Sequence, residues 1–118
     1  MEFKGTKAIF MQIADIMLEK VLNGTWPQGE RIPSVRELAI QVEVNPNTAM
    51  RAFAYLQGED VIHNKRGVGY FVSDDAVIKA LRIKKEEFGS EYLPHFLEQA
   101  RIVGFTVEEL IQLITKNY

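Results

Sequence analysis

The sequence predicts a mainly α-helical fold carrying one small β-hairpin, on three observations. Apolar residues recur at helical spacing in three segments before residue 58. The pattern then changes to two short strand-like runs flanking a glycine-bearing turn. Beyond Asp74 the helical period returns. The chain has 118 residues, the size of one small domain with an appendage. Such a chain buries about two-thirds of its unfolded surface, so pairing with a second copy would add stability.

The first helix is expected over Ala8–Asn23, with Ile9, Ile13, Ile16, Met17 and Val21 inward and Gly24 ending it. A loop, Thr25 to Pro33, follows; its Pro and Gly residues oppose regular structure, and Trp26 packs it onto the core. Ser34 and Glu37 form a capping box for a short helix, Val35 to about Val42, with Val35, Leu38, Ala39 and Val42 inward. After a tight turn, Asn45 caps a third helix with Pro46 at its first position, where a missing N–H costs nothing. That helix runs to about Gln57 and buries Ala49, Ala52, Phe53 and Leu56.

Two helices joined by a short turn, the second opening on polar residues, make a helix-turn-helix. Strands are expected at Val61–Asn64 and Tyr70–Ser73, joined through Lys65-Arg-Gly-Val-Gly69. Three helices and a hairpin make a winged helix. The tail is expected as helices over Asp74–Phe88 (Val77, Leu81 and Phe88 inward), Glu91–Val103 (Leu93, Phe96, Leu97 and Ala100 on one face) and a last helix capped by Thr106 and Glu109 and striped by Val107, Leu110, Ile111 and Ile114. The expected division is therefore a winged helix-turn-helix over residues 1–73 and a helical tail over residues 74–118, joined without a flexible linker.

Composition narrows the function. The absence of cysteine removes disulfides, zinc–thiolate sites and thiol nucleophiles. The opening Met-Glu-Phe-Lys-Gly lacks the pattern of a signal peptide, and no apolar run is long enough to span a membrane, so a soluble cytoplasmic protein is the expectation. Net charge is −2, and residues 1–73 are neutral with eight Lys/Arg and eight Asp/Glu. Affinity for DNA must then come from local placement of cations, not from a bulk field.

Asn47, Thr48 and Arg51 lie at the start of the third helix, opposite its buried stripe. There a recognition helix meets base edges, and Arg can bind guanine through two hydrogen bonds. The same residues also fit a solvated polar face. Arg36 sits in the first turn of the second helix, where the helix dipole disfavours a cation. An external phosphate would relieve that mismatch; an ordinary surface arginine is the alternative reading. Ser34, next to it, is grouped with this site. Lys65, Arg66, Gly67 and Gly69 form a hairpin tip suited to a narrow groove, although such residues populate many ordinary turns. Lys4 and Lys7 offer further phosphate contacts.

Residues 9–72 resemble the GntR family of bacterial regulators, and within it the short YtrA-like branch. The resemblance rests on Gln12-Ile-Ala-Asp15, Gly29-Glu-Arg-Ile-Pro-Ser-Val-Arg-Glu-Leu-Ala39, Val44-Asn-Pro-Asn-Thr48, Arg51-Ala-Phe53 and Gly67-Val-Gly-Tyr-Phe-Val72. It implies a homodimeric repressor binding an inverted-repeat DNA operator. It further implies DNA contacts from Arg36, from Asn47, Thr48 and Arg51, and from Gly69, with a tail of about two helices that dimerises. Two departures stand out. The segment Leu56-Gln-Gly-Glu-Asp-Val61 displaces the usual glycine to Gly58, so that turn is expected to differ, and Tyr70 stands where Thr is common.

His63 and His95 lack the spacing of paired metal ligands. Asp74-Asp75 and Glu86-Glu87 read as solvated surface rather than acid–base pairs. No catalytic, metal or cofactor site is expected. The competing function is a winged-helix protein-interaction module without DNA binding, which an apolar patch beside Arg36 and Arg51 would favour. A small effector at the dimer interface is compatible with the tail, which is too short for a separate ligand-binding domain.

Overall fold

The computed structural model describes residues 7–118, so Lys4 lies outside the described residues. The elements are α1 (Ile9–Leu22), α2 (Val35–Gln41), α3 (Pro46–Gly58), β1 (Ile62–Lys65), β2 (Gly69–Val72), α4 (Ala76–Glu87), α5 (Leu93–Ile102) and α6 (Val107–Asn117), with a π-helical turn, Phe88–Tyr92, between α4 and α5. The chain divides into two compact units at Arg82 and Ile83, inside α4.

In the N-terminal unit α1 and α2 both pack on α3, and α3 packs on β1. Ile13, Met17, Leu18, Leu38, Phe53, Leu56, Val61, Ile62 and Val72 are fully buried at its centre. The inward stripe of α1 includes Ala14 and Leu18, while Ile9, expected inside, is exposed and Ile16 half-buried. Ile9 is the first residue of its helix and reaches past the core. Trp26 is buried, its backbone N–H donating to the Lys20 carbonyl at 2.9 Å.

Helix ends follow local chemistry. The Ser34 hydroxyl accepts from the Glu37 N–H at 3.1 Å, and the Glu37 carboxylate accepts from the Ser34 N–H at 3.0 Å. Asn45 caps α3 by accepting from the Asn47 N–H at 2.8 Å, with Pro46 beginning the helix. The turn between α2 and α3 is closed by bonds from the Val44 N–H to Ala39 and from the Glu43 N–H to Ile40, which place Glu43 in the left-handed region at φ 57°. The end of α3 repeats the arrangement: Asp60 takes φ 59°, while Gly58 is the last residue of the helix. The displaced glycine thus does not terminate α3; Asp60 does, and its carboxylate pairs with Lys79 of α4.

The hairpin is antiparallel, pairing Ile62 with Val72, His63 with Phe71, Asn64 with Tyr70 and Lys65 with Gly69. The segment before α2, expected as irregular, departs from that expectation. Gly29 and Ile32 donate to the Val72 and Tyr70 carbonyls at 2.9 and 3.0 Å, and Val72 donates back to Glu30 at 3.0 Å. Arg31 thereby lies opposite Phe71 and extends the hairpin by a third, very short edge. The free backbone groups on the outer side of β2 explain the pairing, because a strand edge is completed by any extended segment beside it.

Along α4 the expected inward set is reversed. Ala76 and Ala80 are buried, while Val77 and Leu81 are 46% and 43% exposed. Ile83 is buried as well, and the open apolar row consists of Val77, Ile78 and Leu81.

In the C-terminal unit the helix does not break at Gly89-Ser90 but continues through the π-helical turn into α5. Pro94 near the start of α5 supplies no N–H to the preceding turn, and a wider turn accommodates that loss. Gly104, at φ 86°, ends α5, and the reciprocal bonds of Thr106 and Glu109 open α6. Ala100 is buried, but Leu93, Phe96, Leu97, Val107, Ile111 and Ile114 are all at least 36% exposed. Between α5 and α6, Phe96, Ala100, Val103, Phe105, Leu110 and Ile114 line an apolar groove of about 410 Å³. Among the described residues no helix is long and apolar enough to cross a membrane.

Candidate nucleic-acid interface

Arg36 is exposed on the first turn of α2 and makes no ion pair among the described residues. It lines two clefts. One, of about 410 Å³, lies between α2 and the hairpin and is bounded by Arg31, Ser34, Arg36, Asn64, Gly67 and Gly69. The other, of about 500 Å³, follows the α2–α3 turn and is bounded by Arg36, Ile40, Glu43, Val44 and Pro46. The hairpin tip, Ser34, Arg36 and the start of α3 thus form one continuous surface.

Asn47 and Arg51 are both exposed on α3, one turn apart, and Thr48 is half-buried beside them. The buried stripe on the opposite side fixes this orientation: Ala49, Ala52, Phe53 and Leu56 are 0% exposed. The Arg51 guanidinium lies over the Phe10 ring of α1, its carbon 4.2 Å from the ring centroid. A ring at that distance attracts the cation through its face.

At the hairpin tip, the Val68 N–H donates to the Lys65 carbonyl at 2.9 Å, and Gly67 takes φ 77°. Arg66 projects into solvent. Lys65 lies with its ammonium 4.2 Å from the Phe71 ring centroid. Gly69 has φ 146°, and a side chain there would meet the Arg31 guanidinium. Arg31 is the basic residue of this surface that the sequence reading missed. Its signal was faint, because its position depends on an edge pairing formed across some forty residues of chain. Lys7 differs from the rest: its ammonium pairs with Asp15 and its side chain is 16% exposed.

Glu37 has its carboxyl held below the usual value of 4.5, chiefly by the Ser34 N–H, then by the Ser34 hydroxyl and by the nearby positive charge of Arg31. Asp60 is likewise lowered from 3.8, first by its hydrogen bond to Lys79 and then by that residue's charge. His63 is engaged within the fold, its Nδ1 3.3 Å from the Ser73 hydroxyl and its ring stacked on Phe71. Among the described residues no group of three His, Asp or Glu side chains is arranged to hold a metal.

A capped recognition helix behind a short helix and a hairpin with a basic tip defines a winged helix-turn-helix transcription regulator. The family model for bacterial regulatory proteins of the gntR family matches residues 11–72, and the chain belongs to that family. It is 33% identical over 111 residues to the HTH-type transcriptional regulator YhcF of Bacillus subtilis, covering 94% of this chain and 90% of that one. It is 32% identical over 111 residues to the HTH-type transcriptional repressor YtrA of the same organism, covering 94% and 85%. Among solved structures, a GntR-family transcriptional regulator from Bacteroides thetaiotaomicron matches with a TM-score of 0.78 and 38% identity over 92% of this chain and 95% of that one.

Proposed function

We propose that the chain is a cytoplasmic repressor that binds an inverted-repeat operator as a homodimer. The observation that carries this reading is the place of Arg36, common to the cleft beside the hairpin and the cleft beside the start of α3. Inserted into a major groove, α3 would present Asn47, Thr48 and Arg51 to base edges while Arg36 and Ser34 lie along the phosphates and the hairpin tip follows the adjoining groove. Lys65, Arg66 and the backbone at Gly67 and Gly69 supply the flanking contacts; Lys7, paired with Asp15, is left to the fold.

Dimerisation is assigned to the tail, residues 74–118. Its support is the run of large apolar side chains that stay open within one chain: Ile102, Val103, Val107 and Ile111 are 57–69% exposed. Single chains rarely expose this much contiguous apolar surface without a partner. A two-fold axis through paired tails would set two recognition helices about one helical turn of DNA apart, or a multiple of it. An operator occupied in this way is closed to polymerase. Ile40, Met50 and Val68 are also exposed, one each on α2, α3 and the hairpin turn; singly exposed apolar residues are ordinary on protein surfaces.

Selection of bound duplexes from a random pool tests the reading. The expected product is a two-fold symmetric site, and Arg51→Ala relaxes preference at one symmetric position by about 1–3 kcal/mol. Recovery of unrelated sequences, with equal losses for Arg51→Ala on all of them, would contradict base readout.

A further inference from the structure

We propose that Phe10 is a positioning residue for DNA readout: it holds the Arg51 guanidinium by its flat face and leaves the hydrogen-bonding edge to meet a base. The inference rests on the reading of Arg51 as a base contact and extends it to a residue on another helix. Phe10 lies in the first turn of α1 and is half-buried, so part of its ring stays open beside α3. The Arg51 guanidinium carbon is 4.2 Å from the ring centroid, and Arg51 makes no ion pair among the described residues. A guanidinium carries its N–H donors in its own plane. A guanidinium resting on the ring by its face would keep all the donors that a guanine O6 and N7 take.

The ring also answers a mechanical need. An exposed arginine on a helix surface samples many rotamers, and ordering it on binding opposes affinity and blurs selectivity. A carboxylate partner would order it too, but it would occupy the donors and repel phosphates. An aromatic shelf orders the side chain without either penalty. Because α1 packs on α3 through the unit's core, the shelf moves with the recognition helix as one body.

The experiment uses the full chain, the tightest duplex recovered from a random pool, and single base-pair variants of that duplex. Arg51→Ala first identifies the position that Arg51 reads. Phe10→Leu is then expected to lower discrimination at that same position by about two- to five-fold, with affinity for unrelated duplex unchanged. Phe10→Tyr keeps the wild-type discrimination, and Phe10→Leu adds nothing in the Arg51→Ala background. A uniform loss on every duplex, or an effect that persists without Arg51, would overturn the proposal and assign Phe10 to packing alone. Should Arg51→Ala leave every position unchanged, the base-reading role of Arg51 fails first and that of Phe10 with it. An independent readout requires no variant of α1: in the free wild-type protein the Arg51 side-chain protons are expected upfield of their usual positions, shifted by the ring. Arg51 protons at unshifted positions would equally reject the shelf.

Discussion

The Arg31 guanidinium fills the space that a side chain at Gly69 would need, its Nε 2.7 Å from where the Cβ of residue 69 would sit. The two residues come together because Arg31 is opposite Phe71 on the outer edge of β2. Gly69 is required by its φ of 146°, while the Arg31 side chain beside it would have to shift to admit a Cβ.

Gly69→Ala is expected to destabilise the N-terminal unit by about 1–3 kcal/mol through backbone strain. Arg31 is long and can swing aside, so most of the loss should persist in an Arg31→Ala background. Chemical denaturation of the four proteins measures it. Full recovery in the double variant would show that the contact, not the backbone, sets the requirement.

For Arg36→Ala, the expectation concerns salt more than affinity at any one condition. Removing one phosphate contact lowers the slope of log affinity against log salt by about 0.9 per subunit. Fluorescence anisotropy across a salt series reads this directly, and an unaltered slope removes Arg36 from the phosphates.

Glu43 closes the α2–α3 turn at φ 57°, a conformation costly for any residue with a Cβ. Glu43→Gly is expected to stabilise by roughly 0.5–1 kcal/mol after the added freedom of the unfolded glycine is counted. A thermal melt should move upward by a few degrees. A lower melting temperature would show that the Glu43 side chain contributes more than its backbone costs.

Acid dependence follows from Glu37. Its folded carboxyl titrates below the usual 4.5 because Ser34 and Arg31 favour the charged form. The stability it contributes is complete above that usual value and disappears as pH falls through the lowered one. Glu37→Gln still accepts from the Ser34 N–H but does not titrate. Its stability should therefore fall less steeply than wild type over this range, and parallel curves would refute the assignment.

The tail is tested by charge. Ile111→Glu, on an exposed face of α6, is expected to weaken self-association by at least about tenfold if that face is buried between two chains. Sedimentation measures it. Operator affinity should fall with it while the N-terminal unit stays folded, and an undisturbed dimer would place the contact elsewhere.

What the sequence determined by itself is short-range. The capping pairs Ser34–Glu37 and Thr106–Glu109, Asn45 with Pro46, the buried stripe of α3 and the glycine-bearing hairpin were all legible, because each depends on residues within a turn or two of one another. So was the grouping of Arg36, Asn47 and Arg51 as exposed polar positions. The tertiary structure alone decided that Gly29 to Ile32 would complete the edge of β2, that Arg31 would lie against Gly69 and Arg51 against Phe10, and that Asp60 rather than Gly58 would turn the chain. Apart from the local turn at Asp60, those outcomes depend on groups far apart in sequence competing for one edge or one face, and local preference carries no information about which wins. The tail shows the same limit from the other side: apolar period marks which residues avoid water, but not whether the surface that covers them belongs to the same chain.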